Sequence, residues 1–347
     1  MKNVRLGIVG LGQRTLYHGL LPEVKRVKGL TISALCEVRE DRLKKGLEDY
    51  QRELGYAIPG FADIGKLLAA GVADAVFLAT PNYTHRALTE QALAAGMDVL
   101  CEKPMATTVP DCDAMIAAAR KHKRILALGM QMQYRKSYHK IMEMIEKGDL
   151  GEPAMLSCVE YRGPFIAMKD WVWKKEFSGG AIVEKNCHHY GLLDWWAKGK
   201  PVKVYASGNQ KKHAFIHGVK SEIVDNAYVL ADYDSGARSL VGICFLAEGT
   251  HHFREFTVTG TEGHIWFNST DGEVIHFINT RKGVKEDLKV TEVLRGGLLQ
   301  DFTDCVRERR EPLVTPEMGR ASVLVPIAAE RSIETGRPVE ICEIEGK

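Results

Sequence analysis

A short apolar run, Val4-Arg5-Leu6-Gly7-Ile8-Val9, leads without a break into Gly10-Leu11-Gly12-Gln13-Arg14-Thr15 and then into a helical stretch that reaches to about residue 27. A strand that feeds a helix through a tight glycine turn begins a crossover unit, and this constrains the fold more than any other feature of the chain. Two glycines permit the turn and let backbone N–H groups approach a pyrophosphate, which then sits at the positive end of the helix dipole. Gly10, Gly12, Gln13 and Arg14 are therefore expected to line a dinucleotide. Thr15 stands where a third glycine is usual, so the fingerprint is partial.

A second strand candidate, Leu30-Thr31-Ile32-Ser33-Ala34-Leu35-Cys36, ends in Glu37. A carboxylate there accepts hydrogen bonds from the adenosine ribose hydroxyls and repels a 2′-phosphate, which favours NAD over NADP. Arg39, two residues on, opposes that preference. The pattern then repeats, with strand candidates near 74–79, 97–101 and 124–129 alternating with helical stretches near 63–70, 83–95 and 108–122. Such alternation implies an α/β fold with a doubly wound parallel sheet over residues 1–130. One strand ends in Thr80-Pro81-Asn82-Tyr83-Thr84-His85, at the carboxyl edge where open α/β sheets bind ligands, so Thr80, Asn82 and His85 join the cofactor candidates. Asn82 also suits a helix N-cap. Another strand runs into Cys101-Glu102-Lys103-Pro104. Proline restricts the residue before it, so Lys103 is expected in an extended turn with its cation aimed at the same edge, and Glu102 beside it.

A second domain is expected over residues 131–347, and after Gly148-Asp149-Leu150-Gly151 the periodicity changes. Strand candidates at 154–162, 202–208, 224–233, 237–246, 253–260, 264–268 and 273–279, joined by turns such as Asp234-Ser235-Gly236 and Thr270-Asp271-Gly272, imply a large, mostly antiparallel sheet. One helix interrupts them after Ser178-Gly179-Gly180, from about 181 to 197, and two more close the chain at about 297–310 and 316–335, with the stripe Leu324, Ile327, Ala328 and Arg331 suited to packing back on the first domain. The interrupting helix carries Glu184 and His188 on one face by four-residue spacing, a carboxylate beside a base suited to proton transfer near neutral pH. The same pair suits a metal, but no third ligand stands at a persuasive spacing, so no metal is expected. Trp195 and Trp196 read as packing residues, and the His251-His252 pair carries no clear signal.

Charge and composition exclude other classes. Forty-seven Lys and Arg against 45 Asp and Glu, with no long single-sign run, disfavour a nucleic-acid partner. No apolar run approaches the roughly eighteen residues of a membrane helix, and the first residues lead directly into a strand, so neither a membrane partner nor a signal peptide is expected and the chain reads as cytoplasmic. Eight scattered cysteines without a Cys-x-x-Cys pair read as reduced core residues. A nearly neutral chain offers no strong field for an anionic substrate, which favours an uncharged polyol.

Gly10-Leu11-Gly12, Thr80-Pro81-Asn82 with His85, Glu102-Lys103-Pro104, Gly179-Gly180 and the Glu184/His188 helix occur in the order seen in the glucose-fructose oxidoreductase, inositol dehydrogenase and rhizopine-catabolism (Gfo/Idh/MocA) family, which the whole chain resembles. The resemblance implies a Rossmann domain followed by an α/β domain whose open sheet mediates homodimers or homotetramers. It implies an NAD(P)-dependent oxidoreductase acting on a secondary alcohol of a sugar, sugar derivative or cyclitol. It makes Lys103 the catalytic lysine and His188 the family histidine near the nicotinamide, with Glu184 orienting or relaying and Lys185, His189 and Arg162 as further substrate-pocket candidates. Glu184 stands where many members carry aspartate and Asn186 where glycine is usual, departures that bear on the substrate. A redox-neutral enzyme that oxidises a glycoside transiently with retained NAD, and a nucleotide-binding regulator without catalysis, are the alternatives.

Overall fold

The computed structural model describes residues 3–16, 20–164, 170–216, 218–248, 253–268 and 274–346. The His251-His252 pair and the Thr270-Asp271-Gly272 turn lie outside them. The chain divides into two units, one of residues 1–106, 110–134 and 295–320, the other of 107–109, 135–294 and 321–347.

The first unit is built on six parallel strands, β1 (Val4–Val9), β2 (Leu30–Cys36), β3 (Gly60–Phe61), β4 (Ala75–Leu78), β5 (Asp98–Cys101) and β6 (Leu126–Leu128), in the order β3-β2-β1-β4-β5-β6. Every residue of β4, β5 and β6 is buried, as expected of strands covered on both faces and so apolar throughout. The strands alternate with α1 (Gln13–Leu16), α2 (Leu20–Val24), α3 (Glu40–Leu54), α4 (Ile64–Ala69), α5 (His85–Ala94) and α6 (Val109–His122). α3 and β3 go beyond the sequence expectation. α3 forms because Leu43, Leu47, Tyr50 and Leu54 recur at helical spacing, and Gly55 ends it in the left-handed region at φ 80°.

The second unit holds α7 (Lys136–Glu146), α8 (Lys175–Ser178), α9 (Ala181–Trp196) and a nine-stranded sheet. In chain order its strands are β7 (Pro153–Tyr161) and β8 (Pro201–Asn209), then, after a separate hairpin of β9 (Phe215–Ile216) and β10 (Val219–Lys220), β11 (Asn226–Tyr233), β12 (Arg238–Cys244), β13 (Phe253–Gly260), β14 (Gly263–Asn268), β15 (Val274–Asn279), β16 (Val284–Lys289) and β17 (Val339–Glu340). The sheet order is β16-β15-β14-β13-β7-β12-β11-β8-β17, antiparallel except where β7 and β12 run parallel. α10 (Leu298–Glu308) and the start of α11 (Pro316–Thr335) belong to the first unit, and the rest of α11 with α12 (Ile341–Glu345) to the second.

Alternation sorts the sheet into two faces. Leu156, Cys158 and Glu160 of β7 and Phe256 and Val258 of β13 point inward, where α9 packs. Outward, one row crosses the ladders through Tyr205, Leu230, Leu240, Ser157, Thr257 and Trp266.

Candidate active site

Three of the sequence motifs meet at one edge of the first unit because they leave neighbouring strands: Gly10 follows β1, Thr80 follows β4 and Lys103 follows β5. Gly10 has a φ of 92°, and a Cβ on it would stand 2.6 Å from the Ala79 carbonyl oxygen, so only glycine allows the first two loops to approach. Gly12 differs, since a Cβ there would meet nothing within 4 Å. Among the described residues its missing side chain serves no packing and leaves a cradle open at the turn, suited to a pyrophosphate against backbone N–H groups. Thr15, in place of the third glycine, is buried and donates its hydroxyl proton to the Gly10 carbonyl at 2.9 Å, while the Tyr50 hydroxyl donates to the Thr15 carbonyl at 3.0 Å. A side-chain hydrogen bond thus closes the turn.

Glu37 is buried beside this turn, accepting the Leu11 N–H at 2.9 Å on one oxygen and the Arg39 N–H at 3.0 Å on the other. A carboxylate oxygen has room for a second donor, so both can still take ribose hydroxyls. The Arg39 guanidinium is turned onto Asp41 in a two-pronged contact of 3.2 and 2.9 Å, and this hydrogen bonding holds the Asp41 carboxyl below its usual range.

The loops are also tied by side chains. Arg14 Nε donates to Glu102 Oε1 at 2.8 Å, and the other oxygen of Glu102 lies 3.2 Å from the backbone N–H of Lys103. Glu102 needs Gly129 at its back, where a Cβ would come within 2.9 Å of the carboxyl carbon. His85 is fully buried between two carbonyl oxygens, with Nδ1 2.9 Å from Pro104 and Nε2 3.0 Å from Thr80. It joins the second loop to the third. Asn82 does not cap a helix: it opens a short turn, Asn82–Thr84, and Thr84 is the residue that precedes α5. The Lys103–Pro104 peptide is cis. From Cys101 to Ala106 every residue is buried except Lys103, the one side chain that emerges.

In the second unit the Gly179-Gly180 pair sets the start of α9. Gly179 ends α8 in the left-handed region at φ 82°. Gly180 has a φ of 103°, and a Cβ on it would fall 2.2 Å from the carboxyl of Glu330 in α11. That carboxyl accepts the Ile182 N–H at 3.1 Å, satisfying one of the open donors at the helix start, and pairs with Lys175 Nζ at 2.9 Å. Burial pushes its pKa up and Lys175 pulls it down, the first effect being larger. No local sequence pattern points to Glu330.

α9 is buried on nearly all sides. Between Ala181 and Tyr190 only Lys185 and His188 are partly accessible. Glu184, one turn before His188, is 2% exposed. Lys185, His189 and Arg162 converge on Glu160 of β7, which has no exposure: Lys185 Nζ is 3.0 Å from Oε1, Arg162 Nη1 3.9 Å from Oε1, and His189 Nε2 2.9 Å from Oε2. The last contact is close but off the N–H axis, so it is more a charge–dipole contact than a hydrogen bond. His189 Nδ1 lies 2.7 Å from the Asn186 amide nitrogen, so the ring accepts there and carries its proton on Nε2, facing Glu160. Burial lowers His189 to a pKa of about 4 against the opposing pull of Glu160 and keeps it neutral. Alternation along β7 turns Glu160 inward, but no spacing in the sequence ties it to Lys185 or His189. Trp196 is buried with its Nε1 donating to the Tyr138 carbonyl at 3.3 Å, and Trp195 lies edge-on to His139 at 4.8 Å, both packing roles. Among the described residues no three His, Cys, Asp or Glu side chains gather in a group able to hold a metal, and no helix is long and apolar enough to cross a membrane.

A parallel sheet with an open glycine cradle and an acid at the end of its second strand has the build of a dinucleotide-binding domain, with Lys103 emerging at the same edge. The chain belongs to the Gfo/Idh/MocA oxidoreductase family: residues 4–130 match its NAD-binding Rossmann fold and residues 142–341 its C-terminal α/β domain. It is 26% identical to the myo-inositol 2-dehydrogenase of Thermotoga maritima over 99% of this chain and all of that one. It is equally 26% identical to the NAD-dependent scyllo-inositol 2-dehydrogenase of Bacillus subtilis, over 97% of this chain and 96% of the relative. The crystal structure of an oxidoreductase from Agrobacterium radiobacter in complex with NAD+, L-tartaric acid and magnesium has the same fold, with a TM-score of 0.83 and 21% identity over 99% of this chain and all of that one.

Proposed function

We propose that this enzyme transfers a hydride between NAD and a secondary alcohol of a sugar, sugar derivative or cyclitol. The observation that carries this reading is selective exposure. In two stretches that are otherwise buried, the side chains that emerge are Lys103 in the first unit and Lys185 and His188 in the second. A lysine and a histidine kept accessible while their neighbours are packed away are suited to proton transfer. Whole-length similarity to two inositol dehydrogenases supports the substrate class.

The turn at Gly10 and Gly12 with the Gln13 backbone would hold the pyrophosphate, and Glu37 the adenosine ribose. Bound nicotinamide supplies the hydride acceptor. His188 or Lys103 accepts the hydroxyl proton as the alcohol is oxidised, and the other stabilises the negative charge that builds on the oxygen. Glu184, buried one turn before His188, orients the imidazole. Glu102 fixes the lysine loop through the Lys103 N–H and through Arg14.

The outward row from Tyr205 to Trp266 supports a homodimer or homotetramer formed through the sheet, since Tyr205, Leu230, Leu240 and Trp266 are all exposed there. The test of the reaction is a panel of sugars, sugar derivatives and cyclitols assayed with NAD and with NADP. Stoichiometric NADH accumulation with a free polyol is the expected result. Aglycone release from a glycoside without accumulated NADH overturns net oxidation in favour of the redox-neutral cycle.

A further inference from the structure

Each ring nitrogen of the wholly buried His85 meets a backbone carbonyl: Nδ1 lies 2.9 Å from the Pro104 oxygen and Nε2 3.0 Å from the Thr80 oxygen, both in the alignment a donated hydrogen bond requires. A carbonyl oxygen can only accept, so each contact needs a proton on the nitrogen. A neutral imidazole has one N–H, and its other nitrogen would press a lone pair against a buried oxygen and leave that oxygen unanswered. An imidazolium has two N–H donors, and bonds from a charged donor are the stronger kind. His189 shows the contrast: its Nδ1 meets the Asn186 amide nitrogen at 2.7 Å, so one proton is enough for that ring.

The surroundings bear on the charge. α5 packs on β4, β5, α4 and the Asn82–Thr84 turn. β4 is wholly apolar, Asp98 stands at the far end of β5 and pairs with Arg309 at 2.6 Å, and Lys66 of α4 is exposed, as is Tyr83 of the turn. Within α5, Arg86 is exposed and pairs with Asp111 at 2.8 Å and Glu90 at 3.4 Å. On the lysine loop, burial keeps the Cys101 thiol protonated, Lys103 emerges, and the Glu102 carboxylate is turned onto Arg14 and the Lys103 N–H. Burial and the start of α5 weigh against a charge on the ring, and the two carbonyl oxygens weigh for it. The distances decide between them, because two facing lone pairs would push apart, whereas both contacts keep ordinary hydrogen-bond length.

The loop from Thr80 to Thr84 braces itself. Thr84 Oγ1 donates to the Pro81 carbonyl at 2.7 Å, so Thr80 Oγ1 donates to Thr84 Oγ1, also at 2.7 Å. With His85 as the first residue of α5, this loop and the helix make one frame. Nδ1 reaches out of that frame to Pro104, the residue after Lys103. We propose that His85 is doubly protonated at neutral pH and is a positioning residue, its imidazolium tying the Lys103 loop to the frame of the Thr80 loop. A ring without exposure acts on the cofactor edge through the loops it ties and not by contact. The role at Lys103 rests on the oxidoreductase reading above; the charge of the ring does not.

The experiment is nitrogen-15 NMR of the histidine rings in the labelled enzyme at about pH 7.5, where an ordinary histidine is mostly neutral, with His85→Gln to assign the signal. Both nitrogens of His85 are expected to be protonated, with and without NAD. An unprotonated ring nitrogen overturns the proposal whatever the activity. In His85→Gln, kcat with the best substrate of the panel is expected to fall about ten- to a hundred-fold while NAD affinity, read by intrinsic fluorescence, changes by less than about threefold, because the glycine turn and Glu37 are untouched. A kcat within about twofold of the unmodified enzyme, or NAD affinity falling in step with kcat, overturns the positioning role and leaves the oxidoreductase reading intact. If His85→Gln fails to fold, neutron diffraction from crystals of the unmodified enzyme shows the ring hydrogens directly: two support the proposal and one overturns it. No turnover by the unmodified enzyme on the whole panel overturns the oxidoreductase reading and the role at Lys103 with it, while the ring's charge is still decided by NMR.

Discussion

Gly180→Ala tests how the fold sets the start of the His188 helix. Gly180 sits at φ 103° and ψ 169°, a region essentially reserved for glycine, so a methyl group there costs about 1–3 kcal/mol in backbone strain alone. The new Cβ would also lie 2.2 Å from the Glu330 carboxyl, which has to withdraw. Withdrawal breaks the hydrogen bond from the Ile182 N–H and the contact with Lys175, a further cost of about 1–3 kcal/mol for a buried charged acceptor. The expected loss is therefore about 2–6 kcal/mol, read by urea denaturation followed by far-UV circular dichroism. A double-mutant cycle separates the two parts. With Glu330→Ala already present there is nothing to collide with, and adding Gly180→Ala should cost only the strain, so the two changes are coupled by about 1–3 kcal/mol. Additivity within about 0.5 kcal/mol refutes the reasoning, because it means that the glycine serves its own backbone and not the carboxyl.

Other expectations follow from single contacts. His189 titrates at about 4 in the folded protein against an ordinary 6.5, so the unfolded chain binds more protons across that window; stability should fall as pH drops through it, by up to about 3 kcal/mol, and less in His189→Gln, as measured by denaturation at neutral pH and near the lower limit. Glu37→Ser is expected to narrow the preference for NAD in kcat/KM by at least about tenfold. Asp41→Ala, which releases the Arg39 guanidinium, should raise activity with NADP by a smaller factor, since this exposed pair is weakened by solvent screening. Leu230→Glu, on the outward sheet row, should shift the protein toward monomer in size-exclusion chromatography with light scattering, and an unchanged mass removes that face from the assembly.

Strand positions in the second unit were legible because alternation is a local signal. β11 shows it plainly, with Ala227, Val229 and Ala231 turned inward and Tyr228 and Leu230 outward. β16 was missed because Val284-Lys285-Glu286-Asp287-Leu288-Lys289 is a charged edge strand with no buried residue, where the pattern has little to report. α3 was missed for a related reason: its apolar stripe is thin among charged residues, and Gly46 interrupts it. That glycine is required by tertiary contact, since a Cβ there would come within 2.5 Å of the Leu11 side chain. At the site, the motif residues were legible, but their partners were not. Glu330, Glu160 and Gly129 act on Gly180, Lys185 and Glu102 from distant parts of the chain, and no spacing rule connects them. Arg14 and Glu102 read as two separate cofactor contacts, whereas they hold each other at 2.8 Å.

The central claim, that Lys103 and His188 carry proton transfer and charge stabilisation in an NAD-dependent oxidation, is tested most directly by single-turnover kinetics of Lys103→Ala and His188→Ala with the best substrate from the panel, alongside NAD titration of each variant by intrinsic fluorescence. Each variant should lose about two to four orders of magnitude in the rate of NADH formation while its affinity for NAD changes by less than about threefold. NADH formation within tenfold of the unmodified enzyme in both variants contradicts the account.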